Sequence, residues 1–294
     1  MADRLFITCE HAGNVVPKEY AHLFADWKHL LPTHRGWDPG ALLLAREMAD
    51  RFGAPLYYDE TTRLLADLNR SVGTPDLHSE ATRHLSKAER RRLLQAYYYP
   101  HRRRVDAALD AAVAEATAAG DRVVHVASHS FTPELHGKVR TADIGLLYDP
   151  RRPGEVAFAT AWLDALRRRD ASLRLRRNYP YLGASDGVCQ VMRRRYPPEA
   201  YVGIELEVNQ RYVEAGGPAW PAIRKTLLDS LDEALERPRG ERGASFAAAL
   251  ARMADTPAPA SPAAPDSLAA PDSPAAPAGR RPAARASPGS GRRS

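Results

Sequence analysis

The sequence predicts a single α/β domain of three layers, a mainly parallel sheet covered on both faces by helices, followed by a structureless tail. Three observations predict it. Short apolar runs alternate with helical stretches along residues 1–255, the pattern of strand–helix–strand units. The 294 residues suffice for one large α/β domain. The composition then changes abruptly at Thr256.

Taken in order, Leu5-Phe-Ile-Thr-Cys9 is an apolar run emptying into Glu10-His11-Ala12-Gly13-Asn14, a buried strand that ends in a loop. Ala41 to Phe52 has helical periodicity, and Pro55-Leu-Tyr-Tyr-Asp59 is a second strand. Ser86-Lys-Ala-Glu89 is a capping box that opens a helical region to about Ala118, with Pro100 expected to break or kink it. Val123 to Ser128 predicts a third strand ending before His129, and Ile144 to Tyr148 and Tyr201 to Val208 predict two more. Helices are expected near 154–169, 218–236 and 243–254.

The tail, residues 256–294, is built almost entirely of Ala, Pro, Ser, Gly and Arg. It lacks the apolar area needed to offset backbone ordering, so it is expected to be disordered. Its five arginines and two aspartates account for +3 of the net charge of +6. The body is therefore nearly balanced, and nucleic acid is an unlikely partner except weakly through the tail. No apolar run reaches the roughly 18 to 20 residues of a membrane helix, and Met1-Ala-Asp-Arg4 leads straight into the first strand. The expected compartment is the cytoplasm, with no membrane partner. Cys9 and Cys189, the two cysteines, exclude a disulfide framework and a four-cysteine zinc site.

Phosphate-binding glycine loops, dinucleotide fingerprints and a Gly-x-Ser-x-Gly elbow are all missing. What stands out is polar residues at strand ends. His11 and His129 each follow a strand, and neighbouring parallel strands would bring both imidazoles to one rim, where they could share a Zn²⁺. Asp38, ahead of Pro39 and a helix, reads as an N-cap and as a third metal ligand, two roles that are compatible if one oxygen caps and the other ligates. The strand period places Glu205 and Glu207 on one face, where two carboxylates are costly to bury without a partner. A carboxylate beside metal-bound water is the usual general base of metal hydrolases. Asp67-Leu-Asn69-Arg70 adds a guanidinium fork suited to a substrate carboxylate or to a structural salt bridge. The remaining histidines, including His34, His101 and His125, are expected to be surface or packing residues in helices and loops.

His11-Ala-Gly-Asn-Val-Val-Pro17, Trp37-Asp-Pro-Gly-Ala41, Asp67-Leu-Asn-Arg70, Ser128-His-Ser-Phe-Thr-Pro133, Ile144-Gly-Leu-Leu-Tyr-Asp149 and Gly203-Ile-Glu-Leu-Glu207 occur in this order. Together they resemble the N-formylglutamate amidohydrolase family, over about residues 5–235. The resemblance implies a phosphorylase/hydrolase-type fold similar to zinc carboxypeptidases. It implies His11, Asp38 and His129 as ligands of one divalent metal, Zn²⁺ or else Co²⁺, with Glu205 or Glu207 as base. Arg70, Asn69 and Asp67 would then bind the substrate. Asn14 departs from the His-x-x-Glu pattern of the carboxypeptidases. The implied reaction is N-formyl-L-glutamate and water giving formate and L-glutamate. The rivals are an amidase acting on another peptide-like or cell-wall amide, and a non-catalytic protein that binds through its basic tail.

Overall fold

The first strand, β1 (Asp3–Cys9), is apolar on both sides, and Phe6 and Ile7 are both fully buried. That is the signature of a strand covered by a layer on each face. This computed structural model describes residues 2–236; the helix expected near 243–254, the 255/256 boundary and the tail lie outside them. After β1 come α1 (Ala41–Phe52), β2 (Leu56–Tyr58), α2 (Lys87–Leu93), α3 (Tyr99–Ala118) and β3 (Arg122–Phe131). A small hairpin, β4 (Glu134–Leu135) and β5 (Lys138–Val139), precedes β6 (Ile144–Leu147), α4 (Pro153–Arg169) and β7 (Leu175–Arg177). The described part closes with α5 (Val188–Arg195), β8 (Tyr201–Asn209), α6 (Arg211–Ala215) and α7 (Ala219–Glu236).

The main sheet has the order β2-β1-β3-β8-β6-β7. Its first four strands are parallel, β6 runs antiparallel to β8, and β7 follows β6. Period two sorts the side chains. Ile7, Val124, Val126, Ile204 and Leu206 pack with α1, α4 and α7, and Trp162 of α4 donates to Ser230 Oγ of α7 at 3.0 Å. Phe6, Val123 and Tyr201 meet α3 and α5 on the other face. A third cluster, with Phe24, Leu65, Leu68, Leu77 and Tyr98, anchors the long β2–α2 connection that carries Arg63 to Arg70.

Several sequence expectations are corrected. β3 does not stop at Ser128 but runs to Phe131, because its hydroxyls are satisfied: Ser128 Oγ donates to the Ala41 carbonyl at 3.0 Å and Ser130 Oγ to that of Pro39 at 2.8 Å. His129 therefore lies inside the strand, in register with Glu207 of β8. His125 is also a strand residue, buried between the Thr8 and Tyr201 hydroxyls at 2.8 and 2.7 Å. The Ser86 capping box forms, but Pro100 does not break the helix. A π-helical turn, Leu94–Tyr98, joins α2 to α3 directly ahead of Pro100, so the departure from α-helical spacing falls where the proline lacks an N–H and the helix continues through it. The short elements β4, β5, β7, α5 and α6 were not expected; two or three residues of strand, or two turns of an arginine-rich helix, are too brief to show a period. Among the described residues no helix is long and apolar enough to cross a membrane, and both cysteines are free and buried.

Candidate active site

Because β1 and β3 are parallel neighbours, the exit of one and the last residues of the other lie at the same C-terminal end of the sheet. His11 leaves β1 there and His129 sits near the end of β3, with ring centroids 5.1 Å apart. Asp38 is brought between them by its own backbone, whose N–H donates to the His11 carbonyl at 3.0 Å. It does not cap α1: the N-cap is Gly40, whose φ of +83° suits a residue without Cβ. The Asp38 carboxylate is thus left for the histidines. Its Oδ2 lies 3.3 Å from His11 Nδ1 and 2.9 Å from His129 Nδ1, and its Oδ1 accepts from Arg63 Nη1 at 3.2 Å.

The outer nitrogen of each ring is held in turn. His11 Nε2 meets Asp67 Oδ1 at 2.7 Å. Asp67 also accepts from the Asn69 N–H and, through Oδ2, from Arg63 Nε and Nη2 at 3.2 and 2.8 Å. His129 Nε2 lies 3.4 Å from both Glu10 Oε2 and Asn69 Nδ2. Burial would raise these acids, but their partners win: His11, His129 and Arg63 hold Asp38 well below the usual carboxylate range, and Arg63 and His11 do the same for Asp67. Glu10 is held at about 2 by His129 and His101 against its own burial. His129, opposed by burial but flanked by Asp38 and Glu10, is raised well above the ordinary imidazole value.

Glu205 and Glu207 project from β8 toward the same end. Burial raises both, Glu207 to about 8, helped by the neighbouring negative charges of Asp38 and Glu205. Both glutamates line a cavity of about 470 Å³ together with His11, Asp38, Arg63, Asn69, Arg70 and His129. Gly187 closes against its inner wall, where a Cβ would lie 3.0 Å from Asn69 Oδ1 and 3.4 Å from Glu205 Oε1.

The donor set fits a divalent cation. One ligand atom each from His11, Asp38 and His129 lies within 4.8 Å of the others, all three residues buried, and two imidazoles with one carboxylate leave a coordination position open for substrate or water. Beside this set Glu207 Oε2 is buried without a hydrogen-bond partner, and a cation would satisfy it.

Residues 3–213, a span containing every one of these groups, match the N-formylglutamate amidohydrolase family. The chain belongs to this family. A gene product of Agrobacterium tumefaciens of known structure is 33% identical, with a TM-score of 0.66 over 79% of this chain and 90% of that one. The N-formylglutamate amidohydrolase of Ralstonia eutropha JMP134 is 19% identical and shares the fold, with a TM-score of 0.58 over 81% and 96% of the two chains. No curated protein matches the chain.

For this member of the amidohydrolase family, the fold brings His11, Asp38, His129, Asn69, Arg70, Glu205 and Glu207 to one cavity, while Asp67 touches His11 and Asn69 but does not line it. Both Asp67 oxygens are engaged by His11, Asn69 and Arg63. Arg70 Nη1 donates to the carbonyls of Asn69 and Asp186 at 3.0 and 3.2 Å while its side chain lines the cavity. Three residues were missed from sequence. Arg63 clamps Asp38 and Asp67, Glu10 stands behind His129, and His34, expected at the surface or in packing, lines the cavity. A carboxylate behind a ligating imidazole commonly tunes metal affinity by roughly 10- to 100-fold. Asp67→Asn is therefore expected to weaken Zn²⁺ binding by about that factor in a chelator-competition titration; unchanged affinity would show that Asp67 does not orient the ring.

Proposed function

We propose that the chain is a metal-dependent hydrolase of N-acyl amino acids, with N-formyl-L-glutamate, cleaved to formate and L-glutamate, as its nominal substrate. The observation that carries this reading is the convergence of His11, Asp38 and His129 on a cavity that also presents Glu205 and Glu207. A small-molecule substrate fits its volume of about 470 Å³. The catalytic unit is residues 1–255.

His11, Asp38 and His129 would hold one divalent ion, Zn²⁺ or Co²⁺, which when bound polarises an amide carbonyl and makes water more acidic. Asp67 and Arg63 keep His11 and Asp38 in place during the reaction. The Glu205–Glu207 pair supplies the proton carrier: one carboxylate takes a proton from the attacking water and delivers it to the amide nitrogen as the C–N bond breaks. Burial helps here, because it lifts both carboxyls toward the pH at which such a group can both accept and release a proton. Arg70, its backbone contacts fixing the guanidinium at the cavity wall, holds a carboxylate of the amino-acid half.

A formyl group offers little binding energy, so selectivity rests on that carboxylate. N-formyl-glutamate or N-formyl-aspartate is expected to be cleaved at least about 10-fold better in kcat/KM than N-formyl-leucine, equivalent to one charge-assisted bond of roughly 1.4 kcal/mol. Arg70→Ala should shrink the preference and leave metal content intact. Equal rates on the acidic and apolar substrates would remove the acidic-substrate reading and favour a broader amidase with the same centre.

A further inference from the structure

Glu10 is fully buried at the exit of β1, and neither of its oxygens is in a hydrogen bond of good geometry. A carboxylate in that position is costly unless some state of the protein uses it. One polar group facing it is His129, whose Nε2 lies 3.4 Å from Oε2. The other group at that nitrogen, also at 3.4 Å, is the amide Nδ2 of Asn69. Asn69 is fixed in this sense because its Oδ1 already accepts from the Val188 N–H at 2.7 Å.

These two neighbours suit opposite tautomers. With the proton on Nδ1, His129 donates to Asp38 Oδ2 and its Nε2 accepts from Asn69. With the proton on Nε2, the Asn69 amide nitrogen cannot accept it and Glu10 can. Only the second form turns a free Nδ1 lone pair toward Asp38 and His11. We infer that Glu10 is a positioning residue: it accepts the His129 Nε2–H and so selects the tautomer whose Nδ1 binds metal. His11 needs the same service and receives it from Asp67, 2.7 Å from its Nε2, so each histidine carries its own carboxylate. This inference rests on the metal-site reading above and adds a residue that does not face the cavity.

The test uses the full chain, Zn²⁺ titration against a chromophoric chelator, and ¹⁵N NMR of the histidine rings in the zinc-loaded protein. Glu10→Gln, nearly isosteric, should weaken Zn²⁺ binding by about 10-fold, and Glu10→Leu by more, within the roughly 10- to 100-fold range of such partners. Glu10→Asp should recover part of the loss. The wild-type spectrum should show His129 protonated at Nε2 and metal-bound at Nδ1. If Glu10→Leu does not fold, Glu10→Gln and the wild-type spectrum still decide. Zn²⁺ affinity within about 2-fold of wild type in Glu10→Gln, or metal on Nε2 of His129, would overturn the inference. A wild-type protein that binds no Zn²⁺ would instead overturn the metal-site reading on which it depends.

Discussion

Replacing His129 by alanine is expected to take the protein from about one divalent ion per chain to almost none, and to lower turnover on N-formyl-L-glutamate by on the order of 1000-fold or more. The first effect follows from removing one of the three proposed ligand side chains, since the two remaining donors fall short of the three protein ligands of a catalytic zinc site. The second follows because Lewis-acid stabilisation supplies several kcal/mol, and each 1.4 kcal/mol is a factor of ten in rate. His11→Ala should behave alike, because the two rings meet the same oxygen of Asp38. Full metal occupancy in a folded variant, checked by elemental analysis beside circular dichroism, would show that the site is elsewhere.

The glutamate pair should separate chemistry from binding. Neither carboxylate belongs to the proposed ligand set of His11, Asp38 and His129, so Glu205→Gln and Glu207→Gln should both keep the metal. The one that carries the proton should lose at least about 100-fold in kcat, the usual lower end of general acid–base catalysis. The other should change far less. Loss of metal in either variant would make that glutamate a fourth ligand, and full activity in both would move the proton carrier off β8.

What the sequence made legible was whatever repeats or ends locally. The alternation in Val202-Gly-Ile-Glu-Leu-Glu-Val208 put Glu205 and Glu207 on one face, and the structure has both lining the cavity. The apolar runs around Leu5 and Val124 became parallel neighbours, which is why His11 and His129 lie 5.1 Å apart ring to ring. Asp38 was ambiguous because Asp-Pro before a helix is also good capping chemistry; Gly40 took the cap and released the carboxylate. Arg63 was illegible for a different reason. It lies in an irregular connection, four residues before Asp67, and only the satellite cluster around Leu65 and Leu68 folds that connection back so that one guanidinium reaches two acids. Glu10 was hidden by its neighbour: a turn directly after β1 sends Glu10 behind His129 and His11 toward the cavity, and no period describes a turn. His129 was placed one residue beyond a strand that in fact continues, because a Ser-His-Ser segment reads as polar until the Ala41 and Pro39 carbonyls that satisfy it are seen.

The most direct test of the account is the release of formate from N-formyl-L-glutamate by the purified chain, measured after chelator treatment and again after Zn²⁺ or Co²⁺ is restored. The account predicts formate and glutamate in equal amounts, almost no turnover in the stripped protein, and recovery on adding about one ion per chain. Undiminished turnover in protein shown to be free of metal would contradict it.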